Sequence, residues 1–303
     1  MRVCVFFIID GPKIEAQACI LLPSIRRMLG ERVSVIAYYR QDARAEIMAP
    51  TRQVLDSCNV EMRAIPGTAP GDVSPWKEPY PIGNKIMAAS DPRDCDISVF
   101  IDTDTVFIKP IDFVNLLGDA EIAAVISDYS TLSNDEAGWK AFYAHFGLEL
   151  PPERIRLPRG KRVRCPPYFN AGMIVFRESF GPEKRSFGTE WLADSIRFDH
   201  EVTHPFKREN IDQLTLSITT TRLGQKIKML PNEFNFNLPA YGNPPAAPKA
   251  LIHYHRFGVL WSHPEFGRLA LADLGTTLGD DQLVQFLESY GPFLAETRLR
   301  RLL

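Results

Sequence analysis

The 303-residue chain contains no Cys-x-x-Cys pair; its five cysteines (Cys4, Cys19, Cys58, Cys95 and Cys165) are scattered and odd in number. That pattern argues against a disulfide framework and a cysteine zinc site, and it fits reduced thiols in a cytoplasmic protein. Net charge is also nearly absent, at −2, so the chain lacks the electrostatic footprint of a nucleic-acid partner. No apolar run is long enough to span a membrane. The opening Val3–Ile9 run superficially resembles a leader, but it is short, ends in Asp10-Gly11-Pro12 and lacks a small-residue cleavage site. It reads instead as a first core strand. There is no internal repeat and no low-complexity tract. What is present is the composition of a soluble globular enzyme, with 45% hydrophobic and 24% charged residues.

Strand-like and helix-like segments alternate. Val3–Ile9, Val33–Tyr39 and Val60–Ile65 read as strands, with helices over Glu15–Gly30 and Ala43–Ser57 between them. Pro23 lies inside the first helix and should kink or split it. The alternation predicts an α/β fold, a central mostly parallel sheet with helices on both faces. Residues 66–84 are rich in Pro and Gly and read as a long loop, in which Trp76 and Tyr80 either stack on a ligand or pack at its rim. Further strands are expected at Ile122–Ile126, Met173–Phe176, Ile227–Leu230 and Ala250–His255, and helices at Asp135–Phe146, Gly188–Arg197, Ile211–Thr221 and through residues 263–303. The basic stretch around Arg154, Arg156, Arg159, Lys161, Arg162 and Arg164 reads as a solvated loop, with an anionic acceptor as the alternative.

The chain is organised around Ile97–Asp112, ISVFIDTDTVFIKPID. A buried-type strand, Ile97–Ile101, runs straight into Asp102 and Asp104. Strand alternation would point both carboxylates to one face, where they repel unless a cation lies between them. Mg²⁺ and Mn²⁺ take oxygen ligands of this kind and leave positions for substrate phosphates. The C-terminal edge of a parallel sheet is also where open α/β folds bind ligands. Asp94-Cys95-Asp96 has the same spacing without the apolar flanks and reads as a solvated turn.

VFIDTDTVFIKPID, YFNAGMIVF, NIDQLTLSI, LPNEFNFN and LIHYH follow one another along the chain. In this order they resemble the glycogenin-like, family 8 type of nucleotide-sugar glycosyltransferases, which have the GT-A (Rossmann-like) fold. The resemblance implies a GT-A domain over residues 1–262, a C-terminal helical extension over 263–303, and transfer of a hexosyl group from a UDP-sugar to a glycan or other hydroxyl acceptor. It implies Mn²⁺ or Mg²⁺ on Asp102, Asp104 and a late-strand histidine. His253 matches that histidine's apolar-His-Tyr context and His255 its His-x-x-Gly spacing, and both could face the metal from one strand. Asp212 and Gln213 match the pair beside the anomeric carbon. Asp10, Lys85, Thr103 and Asn170-Ala171-Gly172 match donor-binding positions. Each has a bland counterpart: a helix cap for Asp212, a solvated helix face for Lys85, a turn before a strand for Asn170-Ala171-Gly172. The LPNEFN segment is expected to be structural.

One departure stands out. The family's lysine after His-x-x-Gly is missing: Gly258 leads to Val259-Leu260-Trp261, and Arg256 is the available substitute charge. This leaves retention of anomeric configuration an expectation, retaining being favoured. Two other readings of Asp102 and Asp104 are a haloacid-dehalogenase-type phosphatase, with the first Asp as nucleophile, and a sugar-nucleotide binder without turnover. The terminal FLAETRLRRLL suggests weak contact with an anionic membrane surface.

Overall fold

The structure is a computed structural model that describes all residues except 131, 133–134, 160–163, 205–207, 226, 244–246, 295–298 and 300–303. Its strands are β1 (Val3–Ile9), β2 (Ser34–Tyr39), β3 (Glu61–Ala64), β4 (Ile97–Ile101), β5 (Thr105–Phe107), β6 (Ile122–Ile126), β7 (Ile155–Arg156), β8 (Arg164–Cys165), β9 (Phe169–Arg177), β10 (Ile227–Leu230), β11 (Phe236–Asn237) and β12 (Leu251–His253). Its helices are α1 (Pro12–Leu29), α2 (Ala49–Ser57), α3 (Asn84–Ser90), α4 (Phe113–Leu117), α5 (Glu136–His145), α6 (Phe187–Glu201), α7 (Ile211–Arg222), α8 (Leu238–Tyr241), α9 (Phe257–Trp261), α10 (Pro264–Leu278) and α11 (Asp280–Tyr290).

The seven-stranded sheet has the order β10-β6-β9-β4-β1-β2-β3. All neighbours are parallel except β9, which runs antiparallel to both β4 and β6. Both faces of the sheet are covered, as its strands require. In β1, Val3, Val5, Phe7 and Ile9 join the core under α1, α2 and α10, while Cys4 and Phe6 join the opposite core under α3, α6 and α7. In β4, Ile97, Val99 and Ile101 face the first core and Phe100 the second. Gly188 at the start of α6 allows α3 to pack closely, since a Cβ there would lie 1.8 Å from the Ala89 carbonyl oxygen.

Several expectations change at this level. Pro23 does not split α1, which continues from Pro12 to Leu29. Burial of Cys19, Leu21, Leu22 and Ile25 holds the helix together, so tertiary packing outweighs the missing N–H. Asn170-Ala171-Gly172 is not a turn before a strand; it lies inside the nine-residue β9. Trp76 and Tyr80 are core residues, packed edge to face at 5.1 Å. Their loop is tied down by Arg208, which pairs with buried Asp199 at 2.7 Å and donates to the carbonyls of Glu78 and Pro79. Of the basic stretch, Arg156 and Arg164 sit opposite each other in the antiparallel β7–β8 pair, while Lys161 and Arg162 fall outside the described residues.

Helices α10 and α11 bury Phe266, Leu274, Phe286 and Tyr290 in the same core as α1 and β1. The membrane-contact reading falls mostly on 295–298 and 300–303, outside the described residues. No helix among the described residues is long and apolar enough to cross a membrane.

Candidate active site

A cavity of about 390 Å³ opens at the C-terminal edge of β1 and β4, with Asp10, Lys85, Asp102, Asp104, Asp212 and Gln213 among its lining. β4 stops at Ile101, so Asp102 to Asp104 form the turn into β5 rather than an extension of the strand. The two carboxylates therefore do not act as an alternating pair. Asp102 meets Lys85 at 3.1 Å, whereas Asp104 meets His253 Nε2 at 3.0 Å. Thr103 between them is buried at the cavity wall.

The histidine side is set by a small sheet. β12 pairs antiparallel with β5, placing His253 opposite Thr105, and the Tyr254 N–H donates to the Asp104 carbonyl at 2.9 Å. The strand ends at His253. His255 is not on it, contrary to the expectation that both histidines share one strand. A left-handed backbone, φ 57°, folds His255 back so that its ring lies 3.8 Å from that of His253. Such a conformation costs a non-glycine residue about 1–3 kcal/mol, and strain of this kind collects at functional sites. Asp104, His253 and His255 bring one ligand atom each to within 4.8 Å of one another, a set that could hold a metal ion.

The electrostatics agree with that arrangement. Burial works against charge on Asp104, yet the neighbouring His253 holds it well below the usual carboxylate range. Burial likewise favours a neutral His253, but Asp104 outweighs it and raises the imidazole above its ordinary value. His255 moves the other way, down to about 4, through burial and the charge of His253. It is therefore neutral near pH 7, with a lone pair free. Arg256 and Arg159 add to the positive field there, so one residue of the basic stretch reaches the site.

A chain of side-chain amides fixes His253. The Gly172 N–H donates to Asn170 Oδ1 at 2.7 Å, and a backbone N–H can only donate. Asn235 Nδ2 donates to the same oxygen at 2.8 Å, which leaves Asn235 Oδ1 to accept from His253 Nδ1 at 3.0 Å. Nδ1 must carry the proton, and Nε2 is the nitrogen directed at Asp104. Gly172 is the pivot: a Cβ there would lie 2.8 Å from Asn170 Oδ1, 3.0 Å from Asp102 Oδ2 and 3.0 Å from His253 Cε1. Its carbonyl also accepts the Asp102 N–H at 2.8 Å. Asn235, from the segment expected to be structural, thus belongs to the site.

The opposite side is built on Lys85. It lies on α3 with its side chain mostly covered, pairs with Asp102 at 3.1 Å and Asp212 at 3.2 Å, and lies 3.4 Å from the Ala171 carbonyl. Burial disfavours its charge, but the two carboxylates raise its pKa, so it stays protonated. Burial raises Asp102, and Asp104 adds to this, with Lys85 opposing. Asp212 does not cap α7; its Oδ2 meets Lys85, while its Oδ1 is buried without a hydrogen-bond partner among the described residues. Gln17 Nε2, on α1 at the same cavity, is also buried without a partner among the described residues, and nothing in the spacing of the sequence marked it. Gln213 contacts Ser127 Oγ at 3.0 Å. Asp10, just past β1, accepts from Asn84 Nδ2 at 2.8 Å, and burial raises its pKa.

The profile of the Rhodobacterales glycosyltransferase domain matches residues 5–224, well over half of the chain. The chain belongs to that family. The glycosyltransferase is similar in structure to the galactosyltransferase LgtC in complex with donor and acceptor sugar analogs, at 16% identity and a TM-score of 0.51, covering 96% of each chain. It is similar also to an active-site mutant of LgtC, at 14% identity and a TM-score of 0.51 over 95% of each chain. At these identities the likeness establishes the fold, which is GT-A. No curated protein sequence matches the chain. Family membership makes the glycosyltransferase an enzyme and sets aside both the phosphatase and the non-catalytic binder.

Proposed function

We propose that this enzyme transfers a hexosyl group from a UDP-sugar to a hydroxyl acceptor, with a divalent cation bound and the anomeric configuration retained. The supporting observation is Asp212 Oδ1, buried and without a partner among the described residues, in the cavity that Lys85, Asp102, Asp104 and Gln213 also line. A buried carboxylate oxygen requires a donor, and a sugar hydroxyl entering the cavity supplies one. Asp104, His253 and His255 would hold the ion, with Asp102 beside them. One carboxylate with two imidazoles favours Mn²⁺ mildly over Mg²⁺. Bound there, the ion would neutralise charge gathering on the leaving diphosphate.

In the transfer, the acceptor oxygen bonds the anomeric carbon as the bond to the diphosphate breaks. The electron pair of that bond leaves on the phosphate oxygen, which also receives the acceptor's proton. Lys85 contributes a fixed positive charge close to Asp102. Asp212 and Gln213 position the sugar and face the positive charge that develops on it. Asp10, Thr103 and Asn170-Ala171-Gly172 complete the donor contacts.

The test is nucleotide release from a panel of nucleotide sugars, with Mn²⁺ and then with chelator. UDP release from one donor, lost with chelator and in Asp102→Asn or Asp104→Ala, is the expected result. Silence across the panel, or release that persists in both variants, would sink the proposal. The anomeric proton coupling of the product, read by NMR, decides retention.

A further inference from the structure

Ser127 lies just beyond β6, almost fully buried, with its N–H donating to the Tyr168 carbonyl at 3.0 Å. Its hydroxyl oxygen is 2.9 Å from the Tyr129 carbonyl oxygen and 3.0 Å from Gln213 Oε1. Both of those oxygens are acceptors, and Ser127 has one hydroxyl proton. Only one contact can be a hydrogen bond in that arrangement; the other sets two lone pairs against each other. A half-turn of the Gln213 amide removes the conflict. Its Nε2 then donates to Ser127 Oγ, and Ser127 Oγ donates to the Tyr129 carbonyl. Both contacts are satisfied, no other atom moves, and Nε2, which makes no hydrogen bond among the described residues as placed, gains an acceptor. The Gln213 carbonyl oxygen is then the end left free of Ser127, on a side chain that lines the cavity with Asp212.

We propose that Ser127 is a positioning residue that holds Gln213 with its carbonyl oxygen, not its NH₂, toward the anomeric carbon. This rests on the placement of Gln213 beside the reacting carbon given above. The chemistry depends on which end is presented. As the bond to the diphosphate breaks, positive charge develops on the anomeric carbon and ring oxygen; the negative end of an amide dipole stabilises it and the positive end opposes it. Ser127 sets that sign through a hydrogen bond from outside the donor-binding residues. The chain from the Tyr129 carbonyl through Ser127 to Gln213 is anchored on backbone, as is the Gly172–Asn170–Asn235 chain to His253.

The test follows UDP release from UDP-glucose and UDP-galactose with Mn²⁺. Ser127→Ala is expected to lower kcat by about tenfold to a hundredfold, with KM for the donor within about twofold, since the donor contacts are untouched. Ser127→Thr, which keeps the hydroxyl, restores most of the rate. In a Gln213→Ala background, Ser127→Ala changes nothing further, because the residue acts through the amide. Equal losses in both backgrounds would mean a structural role and overturn the proposal. If Gln213→Ala alone turns over at the full rate, the placement of Gln213 fails, and the role of Ser127 with it. A measurement on the unaltered protein guards against misfolding of the variants: one Gln213 side-chain amide proton should be protected from exchange and show an NOE to Ser127. Two equally exposed amide protons would refute the orientation.

Discussion

The two sides of the cavity are built on opposite principles. On the histidine side, hydrogen bonds run from the Gly172 N–H through Asn170 and Asn235 to His253, and each amide has one possible orientation. On the lysine side, Lys85 is shared between Asp102 and Asp212, and Asp212 Oδ1 and Gln17 Nε2 are buried without partners among the described residues. A buried polar network with every member satisfied is rigid, whereas an orphaned buried oxygen persists only where something repays its desolvation. Under the proposed function, the contrast would separate a preorganised metal-binding side from a sugar-binding side that is completed by its ligand.

That contrast can be broken at four points. The largest effect is expected of Asp104→Ala, which removes the carboxylate from the cluster with His253 and His255. Turnover should fall about a thousandfold and Mn²⁺ binding by calorimetry should disappear. Retained Mn²⁺ affinity would place the ion elsewhere. Lys85→Met takes the lysine from buried Asp212 and part-buried Asp102 together, so stability to urea should drop by about 3 kcal/mol or more. An unchanged urea midpoint would mean that the lysine side needs no bridge to stand. Asn235→Leu cuts the amide chain while leaving all three candidate ligands in place. Mn²⁺ affinity is expected to weaken about 10- to 100-fold, as for other residues that orient a metal-binding histidine. Unaltered affinity in that variant would show that the tautomer is set by something else.

The smallest effect on folding is expected of Asp212→Asn. It neutralises a carboxylate whose Oδ1 has no partner among the described residues and whose Oδ2 shares Lys85 with Asp102; Lys85 keeps Asp102, so the unfolding free energy should change by less than about 1 kcal/mol. Its cost should appear in transfer instead. A large loss of stability in Asp212→Asn would mean that the lysine side is a structural ion-pair network, and the contrast would collapse.

Much of the fold was legible because its signals are local. The apolar run Ile97–Ile101 reads as a buried strand, and the alternation of Val3–Ile9, Val33–Tyr39 and Val60–Ile65 with helical periods argues for an α/β sheet, as the structure has them. The candidate residues were picked out through the order of their motifs; the structure brings Asp102, Asp104, Lys85, Asp212 and Gln213 to one cavity and sets both histidines beside Asp104. Their partners were not legible. Spacing paired Asp102 with Asp104, but Lys85 takes one and His253 the other. The two-residue alternation of a strand placed His255 beside His253, but a left-handed turn does so instead. Asn235 and Ser127 carry no local signal, because they meet Asn170 and Gln213 only across long stretches of sequence.

Side-chain chemistry and short-range periodicity were enough to indicate the principal strands and helices and which residues carry charge and lone pairs. They also put those residues in a family-like order along the chain. Other outcomes arose only on folding: β9 runs against its neighbours and carries Gly172 between Asp102 and His253, Trp76 and Tyr80 are core rather than rim, and Asp212 keeps a bare oxygen. These depend on which distant backbones meet, and a hydrogen bond is made or withheld only when they do.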